Sequence, residues 1–157
     1  MARSDAVERF LTAAADAGLP VDVERYPSGT RTAADAADAV GCHVDQIVKS
    51  LVLMADDDPV LVLCAGSNRV DTDGLAEHLG AELVRMADAD EVRSATGFAI
   101  GGTPPFGHPQ PLTTLMDPHL LTFETIYAAA GTPDSVFPVP SARLADVTGA
   151  QVAAITA

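Results

Sequence analysis

Ile47-Val48-Lys49-Ser50-Leu51-Val52-Leu53 is the stretch on which the fold turns. β-Branched and aliphatic residues fill it, which predicts an inner strand running from Ile47 to Met54. Successive side chains of a strand point to opposite faces. Ile47, Lys49, Leu51 and Leu53 therefore share one face, and Val48, Ser50, Val52 and Met54 the other. Lys49 is the exception in this apolar run, and it is the only lysine among 157 residues. An ammonium set among aliphatics is costly unless it reaches water, pairs with a carboxylate or meets an anion brought by a ligand. All three options are open at this point.

Working outward, Val60 to Ala65 reads as a second buried strand, and the polar turn Asp56-Asp-Asp-Pro59 makes the two a hairpin. Upstream, Ser4 is a candidate cap for a first helix carrying Val7, Phe10, Leu11 and Ala14 on one stripe and closed by Gly18. Val21 to Tyr26 alternates as an edge strand, and Pro27-Ser-Gly29 turns the chain. Thr32 caps a short helix from Ala33 to Val40 that ends at Gly41. Downstream, Asp71 caps a helix to Leu79, Leu83–Met86 is a short strand, and Asp88 opens a helix broken at Thr96-Gly97. A strand over Leu112–Met116 precedes a helix start at Asp117-Pro118. Phe123–Ala130 is expected as a strand paired in a hairpin with the segment around Val136-Phe137. A helix at Ala142–Val147 and a strand at Val152–Ile155 close the pattern. Residues 1–157 thus read as one α+β domain, a mixed and mostly antiparallel sheet flanked by helices.

The bulk composition narrows the function classes. Apolar residues make up 48%, enough for a core. No apolar run approaches the roughly 20 residues of a membrane helix, so no membrane partner is expected. Asp5 and Glu8 interrupt any signal-peptide pattern, and the cytoplasm is the expected location. Cys42 and Cys64 are too few for a disulfide framework or a zinc site, and the four histidines show no ligand spacing, so neither metal nor cofactor is expected. Acids outnumber bases 22 to 9, for a net charge of −13 and a pI near 4.3. Such a field repels nucleic acid in dilute buffer. Acids scattered along the chain, with lysine nearly absent, also fit a halophilic protein in whose salt-rich cytoplasm that repulsion is screened.

Three constellations could carry chemistry: Lys49 in its strand, Arg69-Val-Asp71, and the loop Gly101-Gly102-Thr103-Pro104-Pro105-Phe106-Gly107-His108-Pro109. Paired glycines let backbone approach a ligand closely, and the prolines hold the rest rigid. Amides presented that way can receive an oxyanion. GxSxG, P-loop and GxGxxG patterns are absent. Cys64 reads as core rather than nucleophile, and His43 and His108 as surface groups.

Together these residues resemble a known family. Thr32-Ala-Ala-Asp-Ala-Ala37 with Gly41, then Gln46-Ile-Val-Lys-Ser-Leu-Val52, then Thr96-Gly-Phe-Ala-Ile-Gly-Gly-Thr-Pro-Pro105 are similar to the YbaK/EbsC aminoacyl-tRNA deacylases. That domain is also the editing insertion of bacterial prolyl-tRNA synthetase. Asp117 before a short helix, and Ala128-Ala-Ala-Gly131 leading to Val136-Phe137, continue the resemblance across roughly residues 20 to 150. It implies a partly barrel-like sheet of that family's kind. It also implies a hydrolase that cleaves the ester of a mischarged tRNA, typically tRNA for proline carrying a small non-cognate amino acid.

By position, the resemblance assigns Lys49 to the phosphate or ribose of the terminal adenosine. The Gly101-Gly102 backbone falls to the aminoacyl carbonyl and the attacking water. Thr32, Ser50, Ile100, Thr103, Pro104 and Asp117 are implied as substrate-binding residues. The expected partners are aminoacyl-tRNA, through its 3′-terminal adenosine and amino acid, and prolyl-tRNA synthetase; a monomer and a homodimer are both compatible. Two rivals remain at this level: a non-catalytic module that binds aminoacyl-tRNA or a synthetase, and an enzyme using Lys49 as a Schiff-base amine.

Overall fold

The computed structural model describes residues 2–26 and 32–157. Helix α1 (Ala2–Asp16) begins ahead of Ser4, which therefore lies in its first turn instead of preceding it as a cap. The apolar stripe behaves as expected: Val7, Phe10 and Ala14 are buried. Of the expected strand Val21–Tyr26 only Glu24–Arg25 (β1) pairs, and it does so at a sheet edge. The expected turn at Pro27–Gly29 lies outside the described residues. Thr32 caps α2 (Ala33–Val40), its hydroxyl accepting from the Asp35 amide at 3.0 Å, and Gly41 ends the helix.

One 3-10 turn, Val44–Gln46, leads into β2 (Val48–Ala55). β2 pairs antiparallel with β3 (Asp58–Ala65) along its whole length, from Val48 opposite Ala65 to Ala55 opposite Asp58. The turn is thus tighter than the sequence suggests. Asp58 and Pro59 belong to the strand, and Asp56 adopts a left-handed φ of 55°, which Asp tolerates better than most residues. The Asp56 carboxylate holds the turn by accepting from the amides of Glu82 and Leu83 at 3.1 and 3.0 Å.

Asp71 caps α3 (Thr72–Leu79), β4 (Val84–Met86) returns antiparallel to β2, and Asp88 caps α4 (Ala89–Thr96). β5 (Thr113–Met116) lies parallel to β3. The helix after Asp117 is a 3-10 segment, Pro118–Thr122. β6 (Thr125–Ala129) and β7 (Ser135–Pro140) form the expected hairpin, and α5 (Ser141–Thr148) follows. The final strand is Gln151–Val152 (β8), earlier and shorter than the expected Val152–Ile155.

These strands make two sheets, ordered β4-β2-β3-β5-β8 and β1-β7-β6. They meet at a parallel bridge between Ile47 and Tyr127. The class is α+β with mostly antiparallel pairing, as expected, but the sheet is split in two. β2 divides two cores in the way its alternation requires. Val48 and Val52 join Phe10, Phe98, Phe137 and Leu144 on one side. Leu53 joins Leu75, Leu115 and Ile155 on the other. Each such side chain is worth about 1.5–3 kcal/mol when buried, so a one-residue slip of β2 would forfeit both cores. That register leaves Lys49 and Ser50 half-buried near the start of the strand.

Candidate functional site

A cavity of about 420 Å³ opens where the start of β2, the start of α2, the turn after β3, the Gly101 loop and the β6–β7 hairpin converge. Lys49, Ser50, Thr32, Gly101 and Thr103 all reach its lining, joined by Tyr127 and Ser135. Ile100, Gly102, Pro104 and Asp117 do not line it. Among the described lining residues there is no carboxylate, imidazole or thiol. No three His, Cys, Asp or Glu side chains among the described residues converge as metal ligands.

Lys49 stands opposite Cys64 in the β2–β3 pair. Its ammonium donates to the main-chain carbonyl of Asn68, in the turn that follows β3. Among the described residues it makes no ion pair. The charge is therefore anchored by a neutral dipole, with donors left for a ligand. Ser50 adds a second unsatisfied group: its hydroxyl oxygen is buried and lacks a hydrogen-bond partner among the described residues. Buried hydroxyls are seldom left so unless something else binds them.

The two glycines differ in what they require. Gly101 is exposed with a φ of 84°, where a side chain strains the backbone, yet the nearest atom to an added Cβ is Pro133 Cγ at 3.9 Å. Gly102 is buried, and a Cβ there would come within 2.7 Å of Thr132 Cα. Its amide is already committed to the Ala99 carbonyl at 3.0 Å, and the Thr103 hydroxyl donates to the same oxygen at 3.2 Å. Gly102 thus seats the loop on the β6–β7 turn. The Gly101 amide makes no hydrogen bond among the described residues and remains available at the cavity.

Behind the lining lies a buried polar cluster of which the sequence singled out only Asp117. Asp117 is 1% exposed. One of its oxygens accepts from the Ala65 amide at 3.1 Å and the Asn68 side-chain amide at 2.9 Å; the other accepts from the His119 amide at 2.9 Å. It is a clamp on the turn after β3, at one remove from the cavity. Asp45 accepts from the Ser67 amide at 2.9 Å and from the Ser67 hydroxyl, and its second oxygen lies 3.0 Å from His119 Nε2. Burial pushes the Asp45 carboxyl up, but the hydrogen bonds from Ser67 and His119 outweigh it and hold the group below its usual range. The one available signal was a Gly66-Ser-Asn68 turn directly after a buried strand.

The remaining candidates fall elsewhere. Burial pushes the Cys64 thiol up to about 11, so it is a core group. His43 is exposed and caps the Val44–Gln46 turn through Nδ1. His108 corrects its reading as a surface group: it is half-buried, 2.9 Å from the Pro104 carbonyl, and burial lowers its pKa. Arg69 is exposed and off the cavity, and Asp71 is committed to capping α3. No helix among the described residues is long and apolar enough to cross a membrane.

Comparison with known proteins identifies the fold and family. Residues 27–147 match the model of the aminoacyl-tRNA editing domain. The uncharacterized protein YwhH of Bacillus subtilis (strain 168) is 29% identical over 132 residues, covering 83% of each chain. The proline–tRNA ligase of Limosilactobacillus fermentum is 33% identical over 97 residues; these are 59% of this chain and 17% of the ligase. A crystal structure of a proposed trans-editing enzyme for prolyl tRNA synthetase superposes with a TM-score of 0.91 at 42% identity, covering 97% of each chain. A lysine-bearing inner strand, a glycine loop seated on a hairpin and a cavity between them are arranged here on that fold. The chain belongs to the aminoacyl-tRNA editing domain family.

Proposed function

We propose that this protein hydrolyses the ester of mischarged aminoacyl-tRNA in trans, acting in the cytoplasm on tRNA for proline that carries a small non-cognate amino acid. The observation that carries this reading is the Lys49 ammonium on the cavity wall, anchored by the Asn68 carbonyl and facing no carboxylate. An anionic substrate supplies the missing charge: Lys49 takes the phosphate or ribose of the terminal adenosine. The Gly101 amide receives the developing oxyanion of the aminoacyl carbonyl. Ser50 offers its hydroxyl to a polar group of the substrate.

Water attacks the ester carbon, the ester C–O bond breaks, and the products are the free amino acid and the tRNA with its ribose hydroxyl restored. An aminoacyl ester is already activated, so fixing the water and the carbonyl carries much of the barrier. With no carboxylate or imidazole on the described lining, the proton is taken up through the ribose hydroxyl beside the ester. The neighbour described as a proposed trans-editing enzyme supports the in-trans reading.

The same lack of a lining base favours one rival, a module that binds aminoacyl-tRNA without hydrolysing it. Single-turnover deacylation separates the two, using tRNA for proline charged with alanine, cysteine or proline. Release of a non-cognate amino acid, with prolyl-tRNA spared, is the expected result. Binding without release on any of these substrates overturns the hydrolase reading.

A further inference from the structure

The Gly66–Asn68 turn is fastened from both sides by buried carboxylates, and its Asn68 carbonyl accepts from the Lys49 ammonium and, at 3.4 Å, from the Cys64 thiol. Gly66 lies flush against the Val44–Gln46 turn, where an added Cβ would run into the Val44 carbonyl oxygen. Asp45, next in the chain to Val44, takes both the amide and the hydroxyl of Ser67. Asp117 takes the Asn68 side chain, and the Asn68 amide closes onto the Ala65 carbonyl at 2.9 Å. His119 ties the two carboxylates together, its amide on Asp117 and its ring on Asp45. With the Asn68 side chain, its amide and the neighbouring Ser67 all held, the Asn68 residue is fixed in place, and Lys49 meets its carbonyl there.

From this geometry we infer that Asp45 is a positioning residue: through Ser67 it fixes the Gly66–Asn68 turn, and the turn fixes the Lys49 ammonium in the cavity. The arrangement answers an electrostatic problem. A carboxylate paired directly with Lys49 would hold it firmly but cancel the charge that a ligand must find. Here the negative charges stand one peptide away, consumed by Ser67, His119, Ala65 and Asn68, and the ammonium is held by a dipole. Rigid placement and an unspent charge are obtained together.

The single lysine provides a direct readout. Protein labelled with lysine carrying ¹³C at the ε carbon gives one lysine side-chain resonance, which reports the surroundings of Lys49 whether or not the protein hydrolyses anything. In Asp45→Ala that resonance is expected to move and sharpen as the ammonium loses its fixed partner. Asp45→Asn keeps an oxygen for Ser67 and is expected to restore the wild-type position. In deacylation of the mischarged tRNA cleaved by the wild type, Asp45→Ala should lower kcat at least tenfold while KM changes less than threefold, and Asp45→Asn should recover to within threefold.

An unchanged Lys49 resonance in folded Asp45→Ala overturns the inference. Should Asp45→Ala fail to fold, Ser67→Ala removes the hydroxyl half of the link and keeps the amide half and the carboxylate, and the resonance is expected to move in the same direction by less; an unmoved resonance there overturns it equally. The inference rests on the proposed function only for the kinetic arm. A wild-type protein inactive on every tRNA removes that function, while the resonance still decides the role of Asp45.

Discussion

Lys49 and Asn68 meet through ammonium and main-chain carbonyl across 19 residues of sequence, although the buried carboxylates of Asp45 and Asp117 hold the same turn. A lysine secured this way serves a ligand more than the fold. Lys49→Ala is expected to leave a folded protein with single-turnover deacylation reduced by two orders of magnitude or more. Lys49→Arg should recover little of it, because a planar fork replaces a compact ammonium against one carbonyl. Near-normal turnover by folded Lys49→Ala would remove the site from this cavity.

Ser50 is expected to show opposite effects on stability and activity. Its buried, unpartnered hydroxyl carries a desolvation cost that an alanine does not, of order 1–3 kcal/mol for an unsatisfied group. Ser50→Ala should therefore raise the thermal midpoint or leave it unchanged while weakening KM for the mischarged tRNA. Denaturation followed by circular dichroism, set beside deacylation kinetics, checks both. A clear loss of stability would mean that the hydroxyl is satisfied in the folded protein.

The adjacent glycines should separate in the same pair of measurements. Gly102→Ala drives a methyl into the Thr132 backbone and is expected to lower stability and activity together. Gly101→Ala meets open space and pays only for its left-handed φ, about 1–2 kcal/mol, while the available amide shifts. Its activity should fall much further than its midpoint. Equal, proportionate losses in both variants would make the loop a structural feature alone.

His108 gives the fold a dependence on mild acid. Its imidazole is half-buried and its pKa lowered by that burial, whereas in the unfolded chain it protonates near the ordinary value of about 6.5. Between the two values the unfolded state binds more protons, so stability is full above about 6.5 and declines as pH falls toward the folded value. Unfolding midpoints measured from pH 7.5 to 5 should drop, and His108→Gln should flatten that part of the profile. A decline of the same steepness in the variant would place the titration elsewhere.

Salt tests the meaning of the −13 charge. Among the described residues only two arginine–carboxylate pairs form, Arg25 with Asp134 and Arg85 with Glu91, so most of the acidic surface repels itself and the phosphates of any tRNA. That repulsion is long-ranged until the Debye length shrinks to about 3 Å at 1 M. Folding and deacylation are both expected to improve from dilute buffer to molar potassium chloride, opposite in sign to a basic binder that loses affinity as counterions return. A steady fall in activity with the fold intact would reveal a conventional basic face.

Local signals were legible in the sequence wherever one residue decides one feature. Thr32, Asp71 and Asp88 cap the helices they precede, and alternation along β2 sorts Val52 from Leu53 into separate cores. The β6–β7 hairpin was legible, but the partition into two sheets was not, because it depends on β6 meeting the β2 sheet through a single bridge instead of a full ladder, and no local pattern encodes that choice. At the cavity, Lys49 and the Gly101 loop announced themselves by composition. Asn68 could not, since it acts through a carbonyl that every residue possesses. Asp45 was hidden for a related reason: its partners Ser67 and His119 lie 22 and 74 residues away.

The bridge between Ile47 and Tyr127 lies on the cavity's own edge, so the cavity is the seam between the two sheets. A molecule lodged in it touches β2 and the Gly66 turn on one side and the β6–β7 hairpin on the other. Occupancy then acts as a rivet across halves whose hydrogen-bond ladders are otherwise separate. Saturating ligand at 100 times its dissociation constant adds about 2.7 kcal/mol to global stability. Amide hydrogen exchange should register that gain most strongly along the two strands at the seam, β2 and β6.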